Sequence, residues 1–165
     1  HWSRIRRSYR SIIHAAERAY GPSVLSYCDS AIGELAIQQA RSLHIQAAGR
    51  ETRSAETWRL MGEWLTSGVG VIALAYDQKE PVGFAYVLRW KNYAYWASGA
   101  TLWPNLQHAL QWNAIKFLRS DGQTRYYELG HAAAVGASEK EQGISFMKSG
   151  FGGVKMGRSV IEVGA

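Results

Sequence analysis

A chain of 165 residues with a formal net charge of +6 and a single cysteine, Cys28, is already bounded in what it can be. It has length for one domain with an apolar core that needs no staples. It cannot form an internal disulfide or a cysteine zinc site, which points to a cytoplasmic chain. No apolar run approaches the ~18 residues that a membrane helix needs, so no membrane span is expected.

The N-terminus is basic but has no apolar segment behind it, so it does not read as a signal peptide. It lacks an initiator Met, which suggests a piece of a longer protein. Ser3 can cap a helix running to about Tyr20, stopped by Gly21-Pro22. Ile5, Tyr9, Ile12, Ile13 and Ala16 form its apolar stripe. Arg4, Arg6, Arg7, Arg10 and Arg18 lie mostly off that stripe, as a solvated face or a surface for phosphates. Val24 to Tyr27 is a short strand. Asp29 or Ser30 then caps a helix through about Ala47, with Ile32, Leu35, Ala36, Gln39, Leu43 and Ala47 at helical spacing. His44 sits beside Leu43, either facing a cleft or simply half-buried. Gly49 ends this helix, residues 50–53 are a polar loop, and Ser54 starts a third helix that closes at Ser67-Gly68.

The period then becomes extended. Val69 to Tyr76, Val82 to Trp90 and Tyr93 to Ser98 read as three antiparallel strands joined by turns at Asp77–Pro81 and Lys91-Asn92. Pro104 is placed as the first residue of a helix to about Ser120. A strand from Thr124 to Leu129 follows, and Ser138 with Glu141 has the spacing of a capping box for a helix ending near Lys148. Val154 to Val163 reads as one or two closing strands. The expected class is mixed α/β (α+β), a mostly antiparallel central sheet flanked by helices, in one domain spanning 1–165.

The chemistry gathers between Tyr126 and Gly153. Lys148 at a helix end either meets exposed carbonyls or, beside Gly150, Gly152 and Gly153, neutralises a phosphate or an oxyanion. Phe151 is a packing anchor or a cleft wall. Glu128 near a strand end is either salt-bridged or a buried base of raised pKa. His131, in a Gly/Ala turn, is a weaker candidate base. Glu128 and Lys148 are expected to approach one place. Tyr95, Ser98, Gln111 and Trp112 are candidate pocket residues, with core or surface placement as the alternative. No phosphate-binding P-loop, G-x-S-x-G, H-E-x-x-H or G-x-G-x-x-G after a strand occurs, which leaves nucleotide hydrolysis, serine hydrolysis and zinc proteolysis without support.

The opening R-I-R-R-S-Y-R-S-I-I-H-A-A-E-R, the run R-S-L-H-I-Q-A-A-G-R, the stretch Y-W-A-S-G-A-T-L-W-P-N-L-Q-H-A-L-Q-W-N-A-I, and Y-Y-E-L-G followed by F-M-K-S-G-F-G-G come in a familiar order. Together they resemble the FemAB-like, CelD-like branch of the GNAT acyltransferase superfamily. The resemblance implies a GNAT fold with a V-shaped sheet and transfer of an acyl or aminoacyl group to an amine, in cell-wall or polysaccharide metabolism. By position it assigns Lys148 to the donor or the transition state and Glu128 to a strand-end acid, and it matches Phe151 and Gly152 to the same closing motif. Met147 stands where the family often has Phe, and Glu128 where it more often has Asp. No Q/R-x-x-G-x-G/A loop for the pyrophosphate of coenzyme A is found, which tilts the donor from acyl-CoA toward aminoacyl-tRNA. The implied partners are a small-molecule or peptidoglycan-type amine acceptor, tRNA, and a further GNAT-like domain or subunit, with this chain as the C-terminal unit. No tightly bound cofactor and no metal is expected. A second reading is a non-catalytic module that binds RNA or a glycan-assembly partner, favoured by the basic first helix; a third is a structural half of a larger transferase.

Overall fold

The computed structural model describes residues 2–26 and 28–157. They fall into two compact units, Arg7–Gly130 and the residues up to Arg6 together with those from His131 on.

The larger unit carries the sheet. Its elements are α1 (Arg7–Tyr20), β1 (Ser23–Leu25), α2 (Ser30–Ala48), α3 (Ala55–Thr66), β2 (Gly70–Asp77), β3 (Glu80–Trp90), β4 (Tyr93–Thr101), α4 (Leu106–Ser120) and β5 (Tyr126–Glu128). The strands lie in the order β1-β2-β3-β4-β5. Tight turns force β2, β3 and β4 to be antiparallel: Asp77 pairs with Glu80 and Trp90 with Tyr93, with Gln78 and Lys91 at φ 56° and 54°. β1 pairs antiparallel with β2 after the two-helix connection of α2 and α3. A helix-length crossover forces the last pair to be parallel, and α4 supplies it.

β2 and β3 are buried on both faces, which is why they read as continuous apolar runs. On one face Ile72, Leu74, Phe84 and Tyr86 pack with Ala36, Ile37, Leu43, Trp58, Met61 and Leu65 of α2 and α3. On the other, Ala73, Ala75 and Ala85 meet Ala16 of α1 and Leu106, Ala109 and Leu110 of α4. The alanines on that face leave room for the helices. The Tyr86 hydroxyl donates to the Met61 carbonyl at 2.7 Å, and Arg89 pairs with Asp121 at 2.6 Å while donating to the Gly68 carbonyl.

The expected caps are present. Asp29 and Ser54 accept from the backbone at the starts of α2 and α3, and Gly49 closes α2 at φ 71°. Two helix starts differ from expectation. The helix expected from Ser3 begins at Arg7, after a 3-10 turn over Trp2–Arg4. The helix expected from Pro104 begins at Leu106, because Asn105 takes φ 66° and turns the chain first.

In the smaller unit α5 runs Glu139–Ser149 behind a complete Ser138/Glu141 capping box. The Arg6 amide donates to the Gly150 carbonyl at 2.8 Å, and the Arg6 guanidinium lies over Phe146 at 3.9 Å. Residues 154–157 have no regular structure, so the first part of the expected closing strand is not one; its remainder, like Tyr27 of the first strand, lies outside the described residues.

Candidate active site

β4 and β5 pair for three positions only: Tyr93 with Tyr126, Ala94 with Tyr127, and Tyr95 with Glu128. β5 then ends, and β4 runs on from Trp96 to Thr101 without a β5 partner. Partners in register share a face, so Glu128 lies with Tyr95. That face is the α2–α3 side, because Tyr95 also pairs with Leu88, which packs against the α2–α3 cluster. Glu128 is half-buried and Tyr95 partly exposed.

Beyond Tyr95 the strand is irregular. Tyr86 pairs with Ser98 and Val87 with Trp96, so Ala97 is a bulge. Side chains take up the carbonyls freed there: Arg53 Nη2 donates to Ala97 O at 3.1 Å, and Trp96 Nε1 to Ser98 O at 2.6 Å. Ser98 itself is buried, and its Oγ has no partner. Gly99 must be small, since a Cβ there would lie 3.0 Å from both Phe84 O and Trp96 Nε1.

The α2–α3 connection stands over this stretch. His44 near the end of α2 meets Trp58 edge to face at 5.6 Å, and its Nδ1 is 3.4 Å from Thr52 Oγ1. Burial, and then the neighbouring Arg53 charge, pull the His44 pKa below the ordinary imidazole value. Both favour the neutral ring. Arg41 holds Glu51 at 2.6 Å and fixes the loop.

Gln111 lies on the α4 side of the sheet, fully buried, and accepts a 2.5 Å hydrogen bond from the Tyr127 hydroxyl. Burial pushes the Tyr127 pKa far up, so this hydroxyl stays a donor. Trp112, beside it on α4, is half-buried. Sequence reading grouped Gln111 with Tyr95 and Ser98; the register separates them by the thickness of the sheet.

In the smaller unit Lys148 Nζ donates to the His131 carbonyl at 2.9 Å, which ties α5 to its preceding loop. His131 is exposed. Phe151 is 2% exposed and is a packing anchor. Gly152 is glycine for a steric reason: φ is +74°, and a Cβ would strike the Arg4 backbone. Among the described residues no group of three or more His, Cys, Asp or Glu side chains could hold a metal ion, and no helix is long and apolar enough to cross a membrane.

Residues 3–139 match the model of the acetyltransferase (GNAT) domain. The chain belongs to that family, whose chemistry is acyl transfer. No match was found among the curated proteins. Among solved structures, the aminoglycoside acetyltransferase meta-AAC0020 from an uncultured soil metagenomic sample, in complex with trehalose, aligns at TM-score 0.63 and 13% identity over 90% of this chain and 97% of its own. AAC(6')-Iy, in complex with a bisubstrate analogue of CoA and acetylneamine, aligns at 0.61 and 10% identity over 87% and 97%. FemX aligns at 0.53 and 13% identity over 75% of this chain and 48% of its own. At these identities the likeness is one of fold.

Arg53 and Trp58 take part in the geometry around this stretch, yet sequence reading passed over Arg53 as loop and Trp58 as helix face. Nothing in spacing could have selected them, because the bulge that brings Arg53 to β4 is set by pairing across the sheet.

Proposed function

We infer that the chain is an N-acyltransferase that moves an acyl group from a thioester donor, acyl-CoA, to a primary amine. The observation that carries this reading is the early end of β5. It leaves the edge of β4 beyond Tyr95 without a β5 partner, with the Glu128 carboxylate beside it. An acyl carbonyl laid along that edge would meet backbone donors already fixed in place, which is how an oxyanion is stabilised.

The step balances within these groups. The amine lone pair attacks the carbonyl carbon and a C–N bond forms. The C–S bond then breaks, and the thiolate leaves. Glu128, directly or through water, takes the amine proton, which ends on the departing sulfur. Tyr95 shares the register position of Glu128 and lines the acceptor approach. His44 is the alternative base. Lys148 is assigned, on the family resemblance, to negative charge on the donor or the oxyanion.

The donor assignment rests on α4. Its N-terminus has no side-chain cap, and Gln107 Nε2 in its first turn is buried without a partner. Helix N-termini favour phosphate, so these donors suit the pyrophosphate of coenzyme A without a glycine-rich loop. The sequence resemblance to the FemAB-like branch keeps aminoacyl-tRNA as the second donor, with a cell-wall acceptor.

The test is incubation of the purified chain with acetyl-CoA and a panel of primary amines, following thiol release and product mass. Equimolar free coenzyme A and N-acetyl product are expected. No acetylated amine, together with no binding of acetyl-CoA by calorimetry, overturns the reading.

A further inference from the structure

The face that holds Glu128 and Tyr95 continues toward the β3–β4 turn, and there it is aromatic. Trp90 pairs with Tyr93, and Tyr93 with Tyr126. Partners in register share a face, so these three residues form one row across β3, β4 and β5. Two residues away along each strand, on the same face, stand Leu88, Tyr95 and Glu128, likewise in register. The two rows are about 7 Å apart, and each spans roughly 10 Å from β3 to β5.

The outer row is open. Trp90 is 69% exposed and Tyr126 61%, and Tyr95 in the next row is 36% exposed. Large aromatic side chains exposed together, rather than singly, mark a binding surface. Of the six positions in the two rows, four are aromatic, one is leucine and one is a carboxylate. That face matches a ligand with a single amine beside a flat apolar body. The amine stands at Glu128, the proton acceptor, and the body lies over the rings, which supply the affinity. A polyhydroxylated polycation suits the face less, because most of its polar groups would meet ring carbons in place of water.

We propose that this aromatic row seats the body of the acceptor, so that the acceptor class is primary amines carried on a flat aromatic ring by a short alkyl linker. The spacing sets the linker: a ring over Trp90, Tyr93 and Tyr126 places an amine about two or three carbons away beside Glu128, one row further along. From there the amine faces the edge of β4 beyond Tyr95, where the acyl carbonyl lies on the N-acyl transfer reading, and the inference rests on that reading. It sets this chain apart from the aminoglycoside acetyltransferase of like fold.

The test compares primary amines with and without the ring. The wild-type chain is given acetyl-CoA with phenethylamine, 3-phenylpropylamine, ethylamine and neamine, and kcat/KM is read from thiol release and product mass. The two ring-bearing amines are expected to exceed ethylamine and neamine by about tenfold or more, the reach of one ring buried against aromatic side chains. Trp90→Ala and Tyr126→Ala should each raise KM for phenethylamine severalfold and narrow its lead over ethylamine, and Trp90→Phe should keep most of that lead. A lead that both alanine variants leave untouched overturns the proposal. Equal kcat/KM for phenethylamine and ethylamine in the wild type, or a lead for neamine, overturns it too and leaves acyl transfer standing. That comparison needs no variant, so it holds whatever the substitutions do to folding. A dimer in sedimentation that Trp90→Ala dissociates gives the row to a second copy of the chain and also overturns the proposal. Acetylation of no amine at all overturns both readings.

Discussion

At the scale of single residues, Glu128 and Lys148 stood out in the sequence as candidates for chemistry, while Arg53, which reaches the bulge of β4, did not. Glu128 stood out because a carboxylate on an aromatic strand calls for a partner or for water. It lies opposite Tyr95, where the parallel pairing stops, and on the proposed reading it is the base. Glu128→Gln keeps the shape and removes the base, and should lower kcat about 100-fold with little change in KM for the amine. If the rate of thiol release is unchanged, the proton goes to another group, with His44 first in line. Lys148 is bound to the His131 carbonyl, so its role separates from plain helix capping only by kinetics. Lys148→Ala should lower turnover about tenfold or more, as losing one oxyanion donor does, and leave the melting temperature within a few degrees. A large fall in melting temperature with normal turnover would make it a structural lysine. Gly152 has a steric reason to be glycine as well, Arg4 packing and a positive φ, and no periodicity in the sequence carries that information.

At the scale of elements, local signals were read well and long-range ones poorly. The caps at Asp29, Ser54 and Ser138 are set by residues three apart, and each was recoverable from the sequence. The late start of α4 depends on Asn105 entering the left-handed region, which the Pro104 signal masked. The late start of α1 follows a hydrogen bond from Arg6 to Gly150, across most of the chain's length. The pair that ties the end of α4 to β3 was also invisible. Arg89 and Asp121 are 9% and 16% exposed at their side chains, and Arg89 also serves the Gly68 carbonyl. Burial works against the Asp121 charge, but the amides of Gln123 and Thr124 and the Arg89 guanidinium hold its pKa below the ordinary value. The folded pKa is thus lower than the unfolded one. Its contribution is fully present above the unfolded carboxylate pKa of about 3.9 and is lost as pH falls through the folded value. Asp121→Asn should cost at least about 2 kcal/mol at pH 7, the low side for breaking a buried pair because some solvent remains. Urea midpoints should show that gap at pH 7 and its closure below about pH 3.9. A gap independent of pH would mean that shape, not charge, is what the substitution removes.

At the scale of the whole molecule, the sequence told the β2-β3-β4 meander, because short turns leave successive strands to pair as hairpins. It did not place β1 beside β2 or β5 beside β4. It did not tell that the chain's first residues fold with its last. Trp2–Arg4 and Arg6 belong to the same compact unit as α5. Within that unit the Arg6 amide bonds to Gly150, its guanidinium bonds to Ser149 Oγ at 3.1 Å and covers Phe146, and Gly152 meets the Arg4 backbone. β2 and β3 draw their burial from α2, α3, α1 and α4, all inside Arg7–Gly130. Removing residues 1–6 should therefore act unevenly. Amide exchange in α5 should speed up about tenfold or more, the effect of losing roughly 1.4 kcal/mol of local stability, while the amides of β2 and β3 keep their protection. Exchange measured peptide by peptide separates the cases. An equal loss in α5 and in the central strands would show one cooperative unit, and no change in α5 would show that its order does not depend on the N-terminal residues.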